Sequence, residues 1–258
     1  LDMSFFRFDT DASTISPLFE TLFHRPARLP EESLDQHYMD VAASAQVVLQ
    51  EVLVRLARMT LQKSGQKNLC LAGGVALNCV ANSYLIDHVP GLENLWVQPA
   101  AGDAGGALGA ALDVVAHLES DVAQLANRRP STDHMTGSFL GPEYDDKTIE
   151  NALERAGLVR EKPDDLPQQL ATALADGQIV GHFDSRMEFG PRALGNRSIL
   201  ADSRPSHTLQ RVNLRIKFRE GWRPFAPMVL KNHVARLFDG PAESPYMLLV
   251  ASLKPEFR

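Results

Sequence analysis

The chain of 258 residues is short of several things. It has only two cysteines, Cys70 and Cys79, too few for a disulfide framework, and their spacing fits neither a zinc knuckle nor a CxxC redox pair. Both stand among apolar neighbours, so they read as buried free thiols, which suit a reducing cytoplasm. Aromatic residues are 7 %, too thin for a stacking platform built on many rings. No uncharged apolar run approaches the roughly 20 residues of a membrane span, and no basic stretch followed by an apolar one marks a signal peptide. There is no GxxxxGK[ST] loop and no GxGxxG, so neither a P-loop nor a dinucleotide fingerprint is supported. No two of the eight histidines stand three to five residues apart, which excludes a His-pair metal site on one helix. His182, His207 and His233 are isolated and read as structural or surface residues.

What the chain does have is ordinary globular material: 44 % hydrophobic and 22 % charged residues, and a net charge of −6. That balance argues against a general nucleic-acid binder. Leu34, Val41, Ala45, Val48, Val52, Leu56 and Met59 recur at helical spacing and predict a helix over 34–64, with Ser33 and Gln36 as a capping box and Gly65 as its stop. Then strand, glycine turn and helix follow twice: Asn68–Ala72, Gly73-Gly74 and a helix through Leu85; Asn94–Val97, Pro99–Asp103 and a helix over 104–118. Two such units predict an α/β arrangement. Periodicity is lost over 119–145. Helices are predicted over 147–157, 165–176 and near 206–216 and 231–238. Strands are predicted over 178–183 and near 225–230 and 246–251.

Charge is the strongest signal. Residues 186–223 hold nine basic side chains, eight of them Arg, against Glu188, Asp202 and Glu220, so this stretch carries +6 inside an acidic chain. Arg offers a planar fork for phosphate or carboxylate, and Gly190, Gly195 and Gly221 let backbone N–H groups approach an anion. The segment reads as a pocket for a phosphorylated small molecule, or as a basic face paired with the acidic remainder. In the first half, Gly73-Gly74 before a helix permits close backbone approach to a phosphate, and Asn78 can bond a ribose or base. Asp103 reads either as a helix cap or as a metal ligand facing nucleotide phosphates. The Gly102/Gly106 and Gly105/Gly109 spacings would let that helix pack tightly on a neighbour.

Three ordered motifs carry a resemblance: Leu71-Ala72-Gly73-Gly74-Val75-Ala76-Leu77-Asn78; Pro99 through Ala111; and Arg186-Met187-Glu188-Phe189-Gly190-Pro191-Arg192-Ala193-Leu194-Gly195-Asn196-Arg197-Ser198-Ile199. Lys217-Phe218-Arg219-Glu220 and Trp222-Arg223-Pro224-Phe225-Ala226-Pro227 follow. The chain resembles the O-carbamoyltransferases of nodulation-factor and antibiotic biosynthesis, such as the tobramycin and cephamycin enzymes. The resemblance implies the second half of an actin-like (ASKHA-class) domain over 1–120, a linker over 121–140 and a YrdC-like α/β domain over 141–258, lacking its final portion. It implies that ATP and carbamoyl phosphate form carbamoyl-adenylate in the YrdC-like domain. The carbamoyl group then passes to a hydroxyl of a small acceptor. Carried over by position, Arg192, Lys217 and Arg223 hold carbamoyl phosphate and the adenylate. Gly73, Gly74 and Asn78 contact nucleotide, with Arg186, Arg197 and Ser198 assigned less firmly. Asp103 is a ligand to a divalent metal, iron by resemblance, with magnesium accompanying ATP. The family's metal-binding histidine pair has no counterpart here. Leu1-Asp2 and Phe257-Arg258 do not read as natural termini, so a piece of a larger cytoplasmic protein is expected, with little transfer activity of its own. The alternatives are a threonylcarbamoyl-type transferase acting on tRNA and a non-catalytic module that binds a phosphorylated metabolite.

Overall fold

The computed structural model describes residues 2–8, 14–29, 32–118, 133 and 135–257. It divides into two compact units, Leu1–Val52 and Leu53–Arg258.

In the first unit, helix α1 (Pro17–Phe23) starts where Ser16 accepts a hydrogen bond from the Leu18 amide and Pro17 presets the first turn. Phe5, Phe6, Phe8, Phe19 and Phe23 form a chain of ring contacts with centroids 5.0–5.8 Å apart. Neither α1 nor this cluster is predicted above.

Helix α2 (Gln36–Ser64) begins in the first unit and ends in the second. Its cap is Asp35, whose carboxylate accepts from the Tyr38 amide at 3.3 Å, in place of the expected Ser33/Gln36 box. The expected apolar stripe is also displaced. Val48, Val52, Leu56 and Met59 are exposed, and the residues that bury are Val54, Ala57 and Leu61. The helix carries two apolar stripes, and the core of the second unit takes the one that meets Leu69, Leu85 and Val89. Leu85 alone, fully buried, contributes about 2 kcal/mol.

The double α/β pattern is present. Strand β1 (Asn68–Leu71), a 3-10 turn (Gly74–Leu77) and helix α3 (Cys79–His88) are followed by strand β2 (Asn94–Val97) and helix α4 (Asp103–Leu118). β1 and β2 pair in parallel, Asn68 opposite Asn94 and Leu71 opposite Val97. Alternation along β1 buries Leu69 and turns Cys70 outward, so Cys70 is exposed and Cys79 half-buried. Both are free, but neither is the buried thiol expected.

The linker expected over 121–140 lies outside the described residues except at 133 and 135–140. Helices α5 (Asp146–Arg155) and α6 (Leu166–Ala175) follow, capped by Asp145 and Asp165. Strand β3 (Val180–Phe183) pairs antiparallel with β4 (Arg197–Leu200), a strand not anticipated, to make a hairpin with a long tip over 184–196. Helix α7 (Thr208–Arg215), helix α8 (Val234–Leu237) and the short pair β5 (Phe238–Asp239) and β6 (Ser252–Leu253) complete the chain. The strand expected near 225–230 does not form, since Pro224 and Pro227 remove ladder donors. The segment expected as a strand over 246–251 is not paired with another strand over 246–250. It keeps a two-residue alternation, with Tyr246 and Leu248 buried, but is held by side chains of α3. Asn82 donates to Leu248 O at 3.0 Å, and Ser83 Oγ both donates to Val250 O and accepts from Val250 N. Among the described residues no helix is long and apolar enough to cross a membrane.

Candidate functional site

The parallel strands β1 and β2 end at two turns, 73–78 and 99–103. The ends of parallel strands are where open α/β sheets place ligands. The turns are fastened together: Gly73 N donates to Ala101 O at 2.7 Å, and Gln98 N continues the ladder onto Leu71 O. Gly73 has φ 95° and ψ 159°, a conformation essentially reserved for glycine. Asn82, buried within α3, donates to Ala76 O at 2.8 Å and fixes the first turn from behind.

The tip of the β3–β4 hairpin docks on both turns. A Cβ on Gly190 would stand in ordinary contact, 3.4 Å from Ala100 Cβ and 3.5 Å from Pro99 O, and its φ of 127° is what favours glycine there. Arg192 Nη2 donates to Leu77 O at 3.3 Å. Its Nε is sealed from solvent and lacks a hydrogen-bond partner among the described residues. Phe189 and Leu194 pack against the buried cluster of Ala76, Val97, Ala101, Met135, Tyr246 and Leu248. Behind the tip, Phe189 N donates to Ser138 O at 2.6 Å, and Met187 exchanges backbone bonds with Gly141 and Pro142.

The tip is organised around Glu188, which is 8 % exposed. Glu188 Oε1 accepts from the amides of Leu194 (2.8 Å), Asn196 (2.8 Å) and Arg197 (3.2 Å). Burial by itself pushes this carboxyl up. The amides of Leu194, Glu188 itself, Asn196 and Arg197 outweigh it, so the group titrates below the usual glutamate range.

The other expected basic residues are placed differently. Arg186 donates to Gly141 O and Leu140 O. Arg197 donates to the carbonyls of Asp184, Asn196 and Ser185 and stacks on Phe183 at 3.5 Å. Arg197 is thus committed to the hairpin's own backbone, and Arg186 to the 140–141 segment behind it. Ser198 Oγ accepts from Gly195 N, and His182 Nδ1 bonds Gly195 O, a locally satisfied imidazole as expected. Arg204 pairs with Asp202, and Arg211 donates to Gly177 O. Asn78 caps α3 through Oδ1 and the Ala81 amide.

Lys217 and Arg223 belong to a second cluster, arranged by Asn213. This fully buried side chain donates to Gly221 O (3.3 Å) and Arg223 O (2.8 Å) and accepts from Arg219 Nε (2.7 Å). Arg223 Nε pairs with Glu220 at 3.1 Å. Lys217 is exposed and has no ion pair among the described residues. Phe218 between them is 84 % exposed in a left-handed backbone (φ 48°). No hydrogen bond or ion pair among the described residues joins this cluster to Arg192.

Asp103 opens α4, exposed, and its carboxylate has no hydrogen bond among the described residues. No group of three His, Cys, Asp or Glu side chains among those residues could hold a metal. Of the α4 glycines, Gly105 is the crowded one, and what it meets is the backbone of Ala100 rather than a neighbouring helix. Gly106 and Gly109 face open space.

Glu188, Asn82 and Asn213 are the positioning residues missed in the sequence. The one available signal was Glu188, an acid standing alone between Arg186 and Arg192 in a basic segment.

Comparison with known proteins identifies the family. Residues 1–112 match the family model for the carbamoyltransferase N-terminus, and residues 171–258 that for the carbamoyltransferase C-terminus. An uncharacterized Synechocystis protein is 45 % identical over all of this chain and 42 % of its own length. Nodulation protein NolO of Bradyrhizobium diazoefficiens is 40 % identical over 85 % of this chain and 39 % of its own. The 3'-hydroxymethylcephem-O-carbamoyltransferase of Streptomyces clavuligerus is 31 % identical over 73 % of this chain and 33 % of its own. The chain thus spans well under half the length of these relatives. Two matched segments in family order, with the hairpin tip of the second seated on the turns of the first, lead to one conclusion: the chain belongs to the carbamoyltransferase family.

Proposed function

We propose that this chain is part of an O-carbamoyltransferase that uses ATP, carbamoyl phosphate and water to form carbamoyl-adenylate, releasing phosphate and pyrophosphate, and then passes the carbamoyl group to a hydroxyl of a small acceptor as AMP leaves. In this reading residues 1–120 belong to an actin-like transfer domain and 141–258 to a YrdC-like activating domain. The observation that carries it is Arg192, brought by a glycine-bearing hairpin tip onto the Gly73–Asn78 turn beside the Pro99–Asp103 turn. An arginine next to two glycine turns, its Nε desolvated and without a hydrogen-bond partner among the described residues, is a charged donor set suited to an anion.

Each residue has a stated task. Arg192 neutralises phosphate charge, and fixed donors in a water-poor site act on the developing charge without reorganising. The Gly73-Gly74 backbone allows close approach of a phosphate. Lys217 and Arg223 supply further cations for carbamoyl phosphate and the adenylate. Bringing two polyanions together needs several such charges, and positioning suffices without a covalent enzyme intermediate. Asp103 by itself is not a metal site; a metal there would need ligands from outside the described residues, and no step is assigned to it.

The test is calorimetric titration of the protein with carbamoyl phosphate, with inorganic phosphate and ATP as comparators. Saturable binding of carbamoyl phosphate that Arg192→Ala removes is the expected result. In the intact protein, carbamoyl phosphate should drive pyrophosphate release from ATP. Binding without any turnover there would favour a metabolite-sensing module and overturn the transferase reading.

A further inference from the structure

We infer that Glu188 is a positioning residue that aims Arg192 at the two glycine turns, and this rests on the reading of Arg192 as an anion-binding group. A single buried carboxylate oxygen collects the amides of Leu194, Asn196 and Arg197, which all lie on the far side of Arg192 from Glu188. Those three bonds close residues 188–197 into a loop whose crest is Gly190-Pro191-Arg192. Pro191 fixes its own φ and cannot supply an amide. Gly190 lies beside Pro99 and Ala100, and Arg192 extends to Leu77 O. Leu194, the first residue Glu188 holds, also packs, with Phe189, against the buried cluster that contains Ala76, Val97 and Ala101. Glu188 forms no ion pair with a guanidinium among the described residues. Its charge is satisfied by backbone alone, so it can order the loop without neutralising the arginine beside it.

The role differs from general stability because it acts through one side chain, and that side chain can be read chemically. Arg192, partly buried and bonded to Leu77 O, should react slowly with a dicarbonyl reagent such as phenylglyoxal, whereas exposed Arg215 should react freely. In the intact protein, Glu188→Ala should raise the modification rate of Arg192, measured by peptide mapping, roughly tenfold, the change expected when buried amides lose their acceptor. The rate at Arg215 should stay unchanged. Glu188→Gln, which keeps an acceptor oxygen in place, should raise the Arg192 rate by a smaller factor and guards against a variant that fails to fold. An Arg192 rate unmoved in both variants, or a rise shared equally by Arg215, overturns the proposal. Carbamoyl phosphate titration then separates the two readings. If Arg192 is released and Glu188→Ala adds nothing to the binding loss of Arg192→Ala, both stand. If Arg192 is released while carbamoyl phosphate binding is absent or unaltered, Glu188 still positions Arg192 and the anion-binding reading fails.

Discussion

Gly105→Ala should destabilise the protein although glycine-to-alanine in a helix ordinarily does the reverse. Alanine favours a helix by about 1 kcal/mol over glycine. At Gly105 the added Cβ would stand 2.1 Å from Ala100 O and 3.2 Å from Ala100 C. The obstacle is backbone, so no rotamer change relieves it, and the 99–103 turn must withdraw by roughly 1 Å to restore ordinary contact. That movement pulls Ala101 O away from Gly73 N, a 2.7 Å bond between the two turns. Overpacking of this kind costs about 2 kcal/mol and the strained hydrogen bond about 1 kcal/mol, against the 1 kcal/mol gained. A net loss of about 2 kcal/mol follows. Gly109→Ala, four residues on in the same helix with nothing within 4 Å, should gain about 1 kcal/mol. The assay is urea unfolding read by Trp96 fluorescence in a Trp222→Phe background. At a slope of about 2 kcal/mol/M the midpoints should fall by roughly 1 M for Gly105→Ala and rise by roughly 0.5 M for Gly109→Ala. Equal shifts in the two variants would refute the close approach of Ala100 to α4.

Other outcomes can be checked independently. Burial and the hydrogen bond to Asp133 push the Tyr246 phenol up to about 12, while the Gly137 amide opposes them. The folded state therefore holds this proton more tightly than the unfolded chain. The resulting stability is complete below the ordinary tyrosine range and is lost as pH climbs toward about 12; Tyr246→Phe should flatten that alkaline limb in a pH series of urea midpoints. For Glu188 the shift is downward, so its contribution is present above the usual glutamate range and disappears on further acidification; Glu188→Gln should remove that part of the acid limb. Asn213→Ala strips the Gly221 and Arg223 carbonyls and the Arg219 guanidinium of a shared partner and should cost about 2 kcal/mol by thermal or urea unfolding. Lys217→Ala should abolish carbamoyl phosphate-dependent pyrophosphate release in the intact protein without changing the unfolding midpoint.

The β1–turn–α3–β2–turn–α4 run was legible almost to the residue, because short apolar strands ended at Gly-Gly and at Pro99, and α4 opened on an acid. Less legible was anything decided by a distant partner. The apolar positions of α2 mark a helix correctly yet cannot say which of two stripes the core will cover. Residues 246–250 show a strand's alternation, but their partners are Asn82 and Ser83 on a helix, a pairing no periodicity announces. The basic segment was visible as charge, whereas its division was not: Arg197 serves carbonyls of its own loop, Arg186 reaches Leu140 and Gly141, and Arg192 reaches Leu77. Such carbonyl partners carry no residue-type signature, which is also why Glu188, whose partners are all amides, stayed hidden.

The joints between the early and late parts of the chain have one further consequence. Arg192 meets Leu77 through a carbonyl, and Asn82 meets Ala76 and Leu248 the same way. On the accepting side the contact is main chain, which every residue type possesses. Drift at positions 77 and 248 is therefore tolerated by the joint wherever apolar packing is kept, while the donors, Asn82 and Arg192, have no such latitude. Chimeras that exchange the last segment between relatives should assemble as long as those two side chains and the apolar packing at positions 77 and 248 are retained.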